Sequence, residues 1–272
     1  MTDAFEWQGR VGETWAAEWQ RTDRSLAPIQ AELLDRIDSL EPSAAGILDI
    51  GCGAGTTTIS AAARFPHARC LGIDLSPALI DTALSRVAMA NCRFGVADAS
   101  TWSDPAFRPN TLISRHGVMF FDDPVAAFAR LAESATSDAR LIFSCFRASG
   151  ENAWATDMMA LLPEQPVGDP LAPGPFVFAA PDHVAGILAS AGWQDARPAP
   201  FDWDYVAGAG DNAVADALSF FQQIGPAARA ARTLIGHARA DFIARLERLL
   251  QSRLADGRVA FKAAGWIWTA HR

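Results

Sequence analysis

Apolar positions along this chain fall into short runs that alternate with helical stripes. "VGETWAAEWQ" sets Trp15 and Trp19 one helical turn apart. After Pro28, the positions Ile29, Leu33, Ile37 and Leu40 keep one stripe, which predicts two helices ahead of the first strand. "GILDI" reads as a buried strand and is followed by three glycines at alternate positions, then by a helix-compatible stretch from Thr56 to Arg64. "CLGID", "CRFGVAD", "TLISRHG" and "RLIFSCF" read as further strands. Two intervening helices carry start signals. Ser76 caps and Pro77 opens the first; Asp123 caps and Pro124 opens the second.

Strand and helix alternate from residue 45 to residue 147, the pattern of a parallel sheet with helices on both faces. Residues 150–178 turn rich in Pro and Gly and predict an insertion with at most a short helix near Trp154–Leu162. A helix ending at Gly192, a strand or pair of strands in "WQDARPAPFDWDYV", a mostly helical stretch from Asp211 to Leu254 and a last strand in "RVAFKAAGWIWTAHR" follow. The predicted division is 1–44 as a helical lid and 45–149 as the core. Residues 150–210 are an insertion plus the helix and strand that complete the sheet. Residues 211–256 form a helical cap and 257–272 the final strand.

Composition narrows the partners. The net charge is −8 and Lys262 is the one lysine, so the chain lacks the basic clusters that neutralise nucleic-acid phosphates. No stretch has the apolar length of a membrane span, and the first residues do not read as a leader, so a soluble cytoplasmic protein is expected. Cys52, Cys70, Cys92 and Cys145 form no CxxC pair and sit in or beside apolar runs, as small hydrophobes in a reducing compartment do. No spacing of His, Cys and Asp predicts a metal site. The oligomeric state is not set by any stripe in the sequence.

Gly51, Gly53 and Gly55 stand where a strand turns into a helix, the place where open α/β sheets bind ligands. Glycine there accepts unusual backbone angles and lets a ligand rest on main chain. The dinucleotide pattern G-x-G-x-x-G wants glycine where Thr56 stands; the fit is D-x-G-x-G-x-G, Asp49 to Gly55. Asp49 can favour an ammonium group or pin the loop. Asp74, at the tip of the second strand, can accept from both hydroxyls of a ribose or cap the next helix.

"ILDIGCGAGTTT", "LGIDLSPALI", "FGVADAS" and "ISRHGVMFFDDPVAAFARL", in that order and spacing, resemble the class I methyltransferases that use S-adenosylmethionine. "NAW", "AGILASAGW" and "WIWTA" resemble a bacterial subgroup that acts on small molecules. The resemblance implies a Rossmann-like, mostly parallel seven-stranded sheet and transfer of a methyl group to an O, N or C atom of a small, apolar or aromatic metabolite. It implies cofactor contacts from Asp49, Gly51, Gly53, Gly55, Asp74, Leu75, Asp98, Ala99 and Ser114. Asp98 and Ala99 would meet the adenine and Leu75 the nucleoside face, with Trp102 a candidate to cover the base or to pack in the core. Arg115 and His116 are the polar residues nearest the expected reaction centre. With a free pKa near neutrality His116 could serve as general base, or it could orient the cofactor. Asn110 stands near the place where the family shows an acid. Trp7, Trp15 and Trp19 are candidates for a lid, and Phe176, Phe178, Phe220 and Phe221 for the acceptor wall. A nicotinamide-dependent oxidoreductase and a non-catalytic module that kept the cofactor fold are the competing readings.

Overall fold

The computed structural model describes residues 4–40, 44–163, 172–225, 228 and 231–272. Parts of the predicted lid, insertion and cap (1–3, 41–43, 164–171, 226–227 and 229–230) lie outside the described residues. Three helices, where two are predicted, precede the first strand: α1 (Ala4–Gln8), α2 (Arg10–Ala17) and α3 (Trp19–Asp38). Pro28 sits inside α3 and does not start a helix. An interior proline costs about 3 kcal/mol. Burying Leu26, Ile29, Leu33, Leu34 and Ile37 on one face contributes roughly 1.5–3 kcal/mol for each side chain, so the helix runs through.

The core then alternates as predicted: β1 (Gly46–Ile50), α4 (Thr56–Arg64), β2 (Arg69–Asp74), α5 (Pro77–Arg86), β3 (Cys92–Val96), β4 (Thr111–Arg115), α6 (Pro124–Ser134) and β5 (Arg140–Phe146). The two predicted caps are in place. Ser76 Oγ accepts from Leu79 N at 3.3 Å, and Asp123 Oδ1 from Ala126 N at 3.0 Å. The remainder is α7 (Ala153–Met159), α8 (Pro181–Ser190), β6 (Gln194–Ala209), α9 (Ala213–Gln223), α10 (Gly236–Ser252), the short β7 (Leu254–Ala255) and β8 (Arg258–His271). The segment read as a strand or pair of strands is the single 16-residue β6, with register shifts near its two ends.

The strand order is β3-β2-β1-β4-β5-β8-β6, with β7 paired to β8. The first five strands are parallel, and β8 runs antiparallel to both neighbours. From β1 the chain steps outward to β2 and β3, then returns to β4 on the other side of β1. Parallel crossovers are right-handed, so steps in opposite directions put their helices on opposite faces. That reversal opens a crevice beyond the carboxyl ends of β1 and β4.

β8 fills the core on the far side. Phe143 of β5 and Trp268 of β8 are register partners and stack with centroids 6.1 Å apart. Trp266, on the same strand face, donates from Nε1 to Ala179 O at 2.9 Å. Asn110, at the place of the family acid, accepts the N–H groups of Ala45 and Gly46 through Oδ1. Its work is to fix the entry of β1.

α2 lies against α5, close to the crevice, and Gly12 is the point of approach. A Cβ there would stand 2.1 Å from Ser76 Oγ and 2.2 Å from the carbonyl oxygen of Trp7. Alanine gains about 1 kcal/mol of helix propensity over glycine. The clash includes backbone and outweighs it, at about 1–3 kcal/mol for an overpacked site. Gly12→Ala is therefore expected to loosen α1 and α2, so that trypsin cuts after Arg10 sooner than in the wild type. Equal cutting rates would contradict this seating of α2.

Candidate active site

The crevice is built by two loops that touch. Gly51, after β1, has φ 64°, and a Cβ on it would lie 2.9 Å from the Cα of Gly117, after β4. Ser114 Oγ ties the same two loops, donating to Ile50 O at 2.7 Å and accepting from Gly117 N at 3.1 Å. Gly53 has φ 56° and would carry its Cβ into open space, with nothing within 4 Å. Gly51, Gly53 and their neighbours Cys52 and Ala54 line one cavity of about 440 Å³, within the range of small-molecule sites. Two of the residues expected at the cofactor lie outside this lining. Gly55 does not line the cavity: it has φ 83° and packs where a Cβ would meet the Phe94 ring at 2.6 Å and Ala83 Cβ at 2.9 Å. Ser114 does not line it either, because its hydroxyl is spent on the loop tie.

The three strand-tip carboxylates all line the cavity. Asp49 is fully buried. Its Oδ2 accepts from Thr58 Oγ1 at 2.6 Å, while Oδ1 has no partner among the described residues. Burial pushes its carboxyl up to about 7, against the opposing pull of Thr58 and the nearby Arg115 guanidinium. Asp74 receives Gly53 N at Oδ2 and Ser76 N at Oδ1, both at 2.9 Å. Burial raises its pKa too, and those backbone donors oppose the rise. Asp98 Oδ1 accepts from Ser100 N at 2.8 Å and Ser100 Oγ at 2.6 Å. Leu75 and Ala99 line the cavity beside them. Trp102 does not; it is buried against Phe107, with centroids 6.4 Å apart.

Trp7, Trp15 and Trp19 from the first three helices reach the same space. Trp7 packs on Trp15 at 5.6 Å and edge-on to Phe120 at 5.1 Å. The Arg86 guanidinium sits 3.6 Å from the Trp19 ring centroid. Asp23 of α3, which also lines the cavity, had no motif to announce it. Its carboxylate pairs with Arg115, accepts from Thr56 Oγ1 and lies 3.8 Å from Arg86. Arg115 keeps a buried Nη1 without a partner.

His116 follows directly, with φ 64° in the left-handed region. Its N–H donates to Ser144 O at 3.2 Å, and its Nδ1 lies 2.7 Å from Ser144 Oγ. The ring meets Phe146 edge-on at 4.2 Å. Burial, with Arg115 adding, pushes the imidazole down to about 3. That is far below the free value near neutrality. The expected aromatic wall is also displaced by one layer. Phe176, Phe178, Phe220 and Phe221 stand behind the lining, which is formed by Met119, Phe120, Phe121, Phe146, Trp154 and Tyr205. Trp154 is set by the "NAW" asparagine. Asn152 Oδ1 accepts from Trp154 Nε1 at 3.1 Å and from Ala264 N at 3.0 Å, and its Nδ2 donates to Ala264 O at 3.1 Å. Among the described residues no group of three or more His, Cys, Asp or Glu is placed to hold a metal ion.

Residues 47–137 match the methyltransferase domain family. Among curated proteins the chain is 37% identical over 101 residues to a trans-aconitate 2-methyltransferase of Methylobacterium radiotolerans, covering 37% of each chain. It is 33% identical over 114 residues to a malonyl-[acyl-carrier protein] O-methyltransferase of Acetivibrio thermocellus, covering 42% of this chain and 40% of that one. The match thus spans about two fifths of the length of these relatives. Among solved structures, phosphoethanolamine N-methyltransferase 2 of Haemonchus contortus aligns with TM-score 0.55 at 15% identity, over 95% of this chain and 56% of that one. The plantazolicin methyltransferase BpumL aligns with TM-score 0.52 at 14% identity, over 96% of each. These two likenesses show the fold, and the match to the methyltransferase domain family lies on the strand-tip residues just described.

Proposed function

We propose that the chain is a methyltransferase that uses S-adenosylmethionine and methylates a small, apolar or aromatic metabolite. One observation carries the reading. Asp49 Oδ1 and Arg115 Nη1 are buried, lack partners among the described residues and belong to residues lining one cavity beside Gly53. An unpaired carboxylate oxygen and an unpaired guanidinium N–H suit the two ends of an amino-acid zwitterion. In this reading Asp49 takes the ammonium and Arg115 the carboxylate, which makes Arg115 a positioning residue. A dinucleotide pyrophosphate would instead bring negative charge to an unpaired buried carboxylate, which speaks against the oxidoreductase alternative. The aromatic space beyond the strand tips speaks against a module that only binds the cofactor.

When bound, the cofactor supplies a methyl group on a positively charged sulfur, so the donor is already activated. Asp74 holds the Gly53 loop and keeps lone pairs for ribose hydroxyls. Asp98, with Oδ1 held by Ser100, keeps Oδ2 for an adenine amino group. The tryptophans of α1, α2 and α3 serve as a lid that excludes water, and α9 and α10 as a cap. Positioning of this kind is worth at most about 7–11 kcal/mol of barrier. Curated relatives named as O-methyltransferases support a small oxygen-bearing acceptor. The four buried free cysteines suit the reducing cytoplasm.

Calorimetry with S-adenosylhomocysteine and with NADH tests the reading: the first is expected to bind and the second not. Binding of NADH alone would overturn it. Asp74→Ala should weaken S-adenosylhomocysteine binding about 10- to 150-fold, the loss of a hydrogen bond to a charged group; unchanged affinity would remove Asp74 from the ribose site.

Asp49 gives the pH dependence. With a folded-state pKa near 7 against 3.8 in the unfolded chain, it stays protonated in the empty site at mildly acid pH. The native state then holds a proton that the unfolded chain releases, so the unliganded protein loses stability as pH rises from about 4 to about 7. Ligand ammonium needs the ionised form, so affinity should rise with pH up to about 7 and then level, with a proton released on binding below 7. Asp49→Asn should lose both trends. Titrations in two buffers of different ionisation heat read the proton directly, and pH-independent affinity in the wild type would exclude the ammonium role.

A further inference from the structure

Resting on the methyltransferase reading, we propose that His116 selects the acceptor by donating from Nε2–H to an oxygen anion, so that the acceptor is an ionised enol, phenol or carboxylic acid on a planar apolar frame and not an amine.

The tautomer follows from the hydrogen bonds. Nδ1 of His116 lies 2.7 Å from Ser144 Oγ, and the Ser144 hydroxyl has no other acceptor among the described residues. A buried hydroxyl that must donate somewhere donates to Nδ1, which leaves the ring proton on Nε2. The backbone bond from His116 N to Ser144 O at 3.2 Å and the Phe146 ring, with centroids 4.2 Å apart, fix the imidazole in this pose. Nε2 is buried and has no partner among the described residues, and His116 lines the cavity.

The polar inventory of the cavity points the same way. Its lining residues hold three buried donors without partners, Trp7 Nε1, Arg115 Nη1 and His116 Nε2, against one such acceptor, Asp49 Oδ1. Once a zwitterionic tail takes Asp49 and Arg115, the buried atoms still without partners in that set, Trp7 Nε1 and His116 Nε2, are both donors. The carboxylates are accounted for: Asp49, Asp74 and Asp98 stand at the strand tips, and Asp23 is paired with Arg115. Tyr205 is pushed up to about 12 by burial and keeps its proton. An amine acceptor would end as a cation here with no anion to receive its charge and no base to take its proton. An oxygen anion ends neutral: its lone pair forms the O–CH3 bond while the S–CH3 pair returns to sulfur, and no proton moves. Ser144 acts through the ring and is a positioning residue.

The test uses the full chain saturated with S-adenosylhomocysteine. With ¹⁵N-labelled histidine, the resonance lost in His116→Phe should report the Nε2-protonated neutral tautomer at pH 7. A proton on Nδ1, or an imidazolium, overturns the proposal without relying on any variant's activity. At pH 8 the isosteric probes 4-nitrophenolate and 4-nitroaniline should differ by about tenfold or more in favour of the phenolate, as a charge-assisted hydrogen bond requires. His116→Phe should remove the difference, Ser144→Ala should reduce it, and Ser144→Thr should restore it. Equal affinities in the wild type, absence of binding by both probes included, or a preference for the aniline, overturn the proposal. The S-adenosylhomocysteine titration in the same samples separates the two readings: if it binds and the probe preference is missing, only the acceptor inference fails.

Discussion

The contact between Gly51 and Gly117 is the constraint on which the site depends. The loops after β1 and β4 leave the sheet in opposite directions, and they can touch only if neither carries a side chain at the crossing. A methyl on Gly51 would press on Gly117 Cα at 2.9 Å; one on Gly117 would press on Ile50 O at 2.6 Å. Contacts that short have no room to relax, since both partners are backbone. Ser114 closes the crossing with its two hydrogen bonds. With the loops locked, the tips of β1, β2 and β3 project their carboxylates into one space, and the Arg115–His116 corner faces them.

That arrangement leaves several buried polar atoms without a protein partner. A buried polar atom without a partner costs about 1–3 kcal/mol. The cavity lining holds four, on Trp7, Asp49, Arg115 and His116. The fold tolerates them because hydrophobic burial elsewhere is large and because partial compensation is built in. Thr58 takes half of Asp49, Asp23 takes half of Arg115, and Ser144 takes half of His116. Each of these three side chains is thus held at one end and lacks a partner among the described residues at the other. Preorganisation of this kind means that a ligand meeting the free ends loses little to side-chain ordering.

How much of this was legible in the sequence depends on how local each device is. Ser76–Pro77 and Asp123–Pro124 are local signals and gave their helices correctly. Asp49, Gly53, Asp74 and Asp98 lie within a few residues of a strand end, so strand reading alone carried them to the cavity. Pro28 misled because a local penalty lost to the burial of a tertiary face. Motif position does not tell which way a residue faces: Gly55 packs against Phe94, and Ser114 ties loops. Asp23, Phe146 and Tyr205 were not assigned to the site at all. They are brought there from α3, β5 and β6 by sheet order, and nothing in their neighbourhoods marks them. "NAW" carries a resemblance in the sequence, and its physical content, Asn152 bridging β8 to Trp154, comes from the fold.

The Arg115–His116 corner shows why adjacent residues can divide two tasks. In a continuing strand, successive side chains point to opposite faces. Arg115 ends β4, and His116 at φ 64° breaks that alternation, so both reach the same cavity. Histidine tolerates this conformation better than β-branched residues do, and two bonds to Ser144 offset its cost. Arg115 is anchored to the helical roof through Asp23, while His116 is anchored to the sheet through Ser144. The two anchors belong to different elements. Ser144 holds the imidazole directly, and α3 holds the guanidinium directly through Asp23. The positions of the guanidinium and of the imidazole are thus set by different neighbours on a single turn of chain.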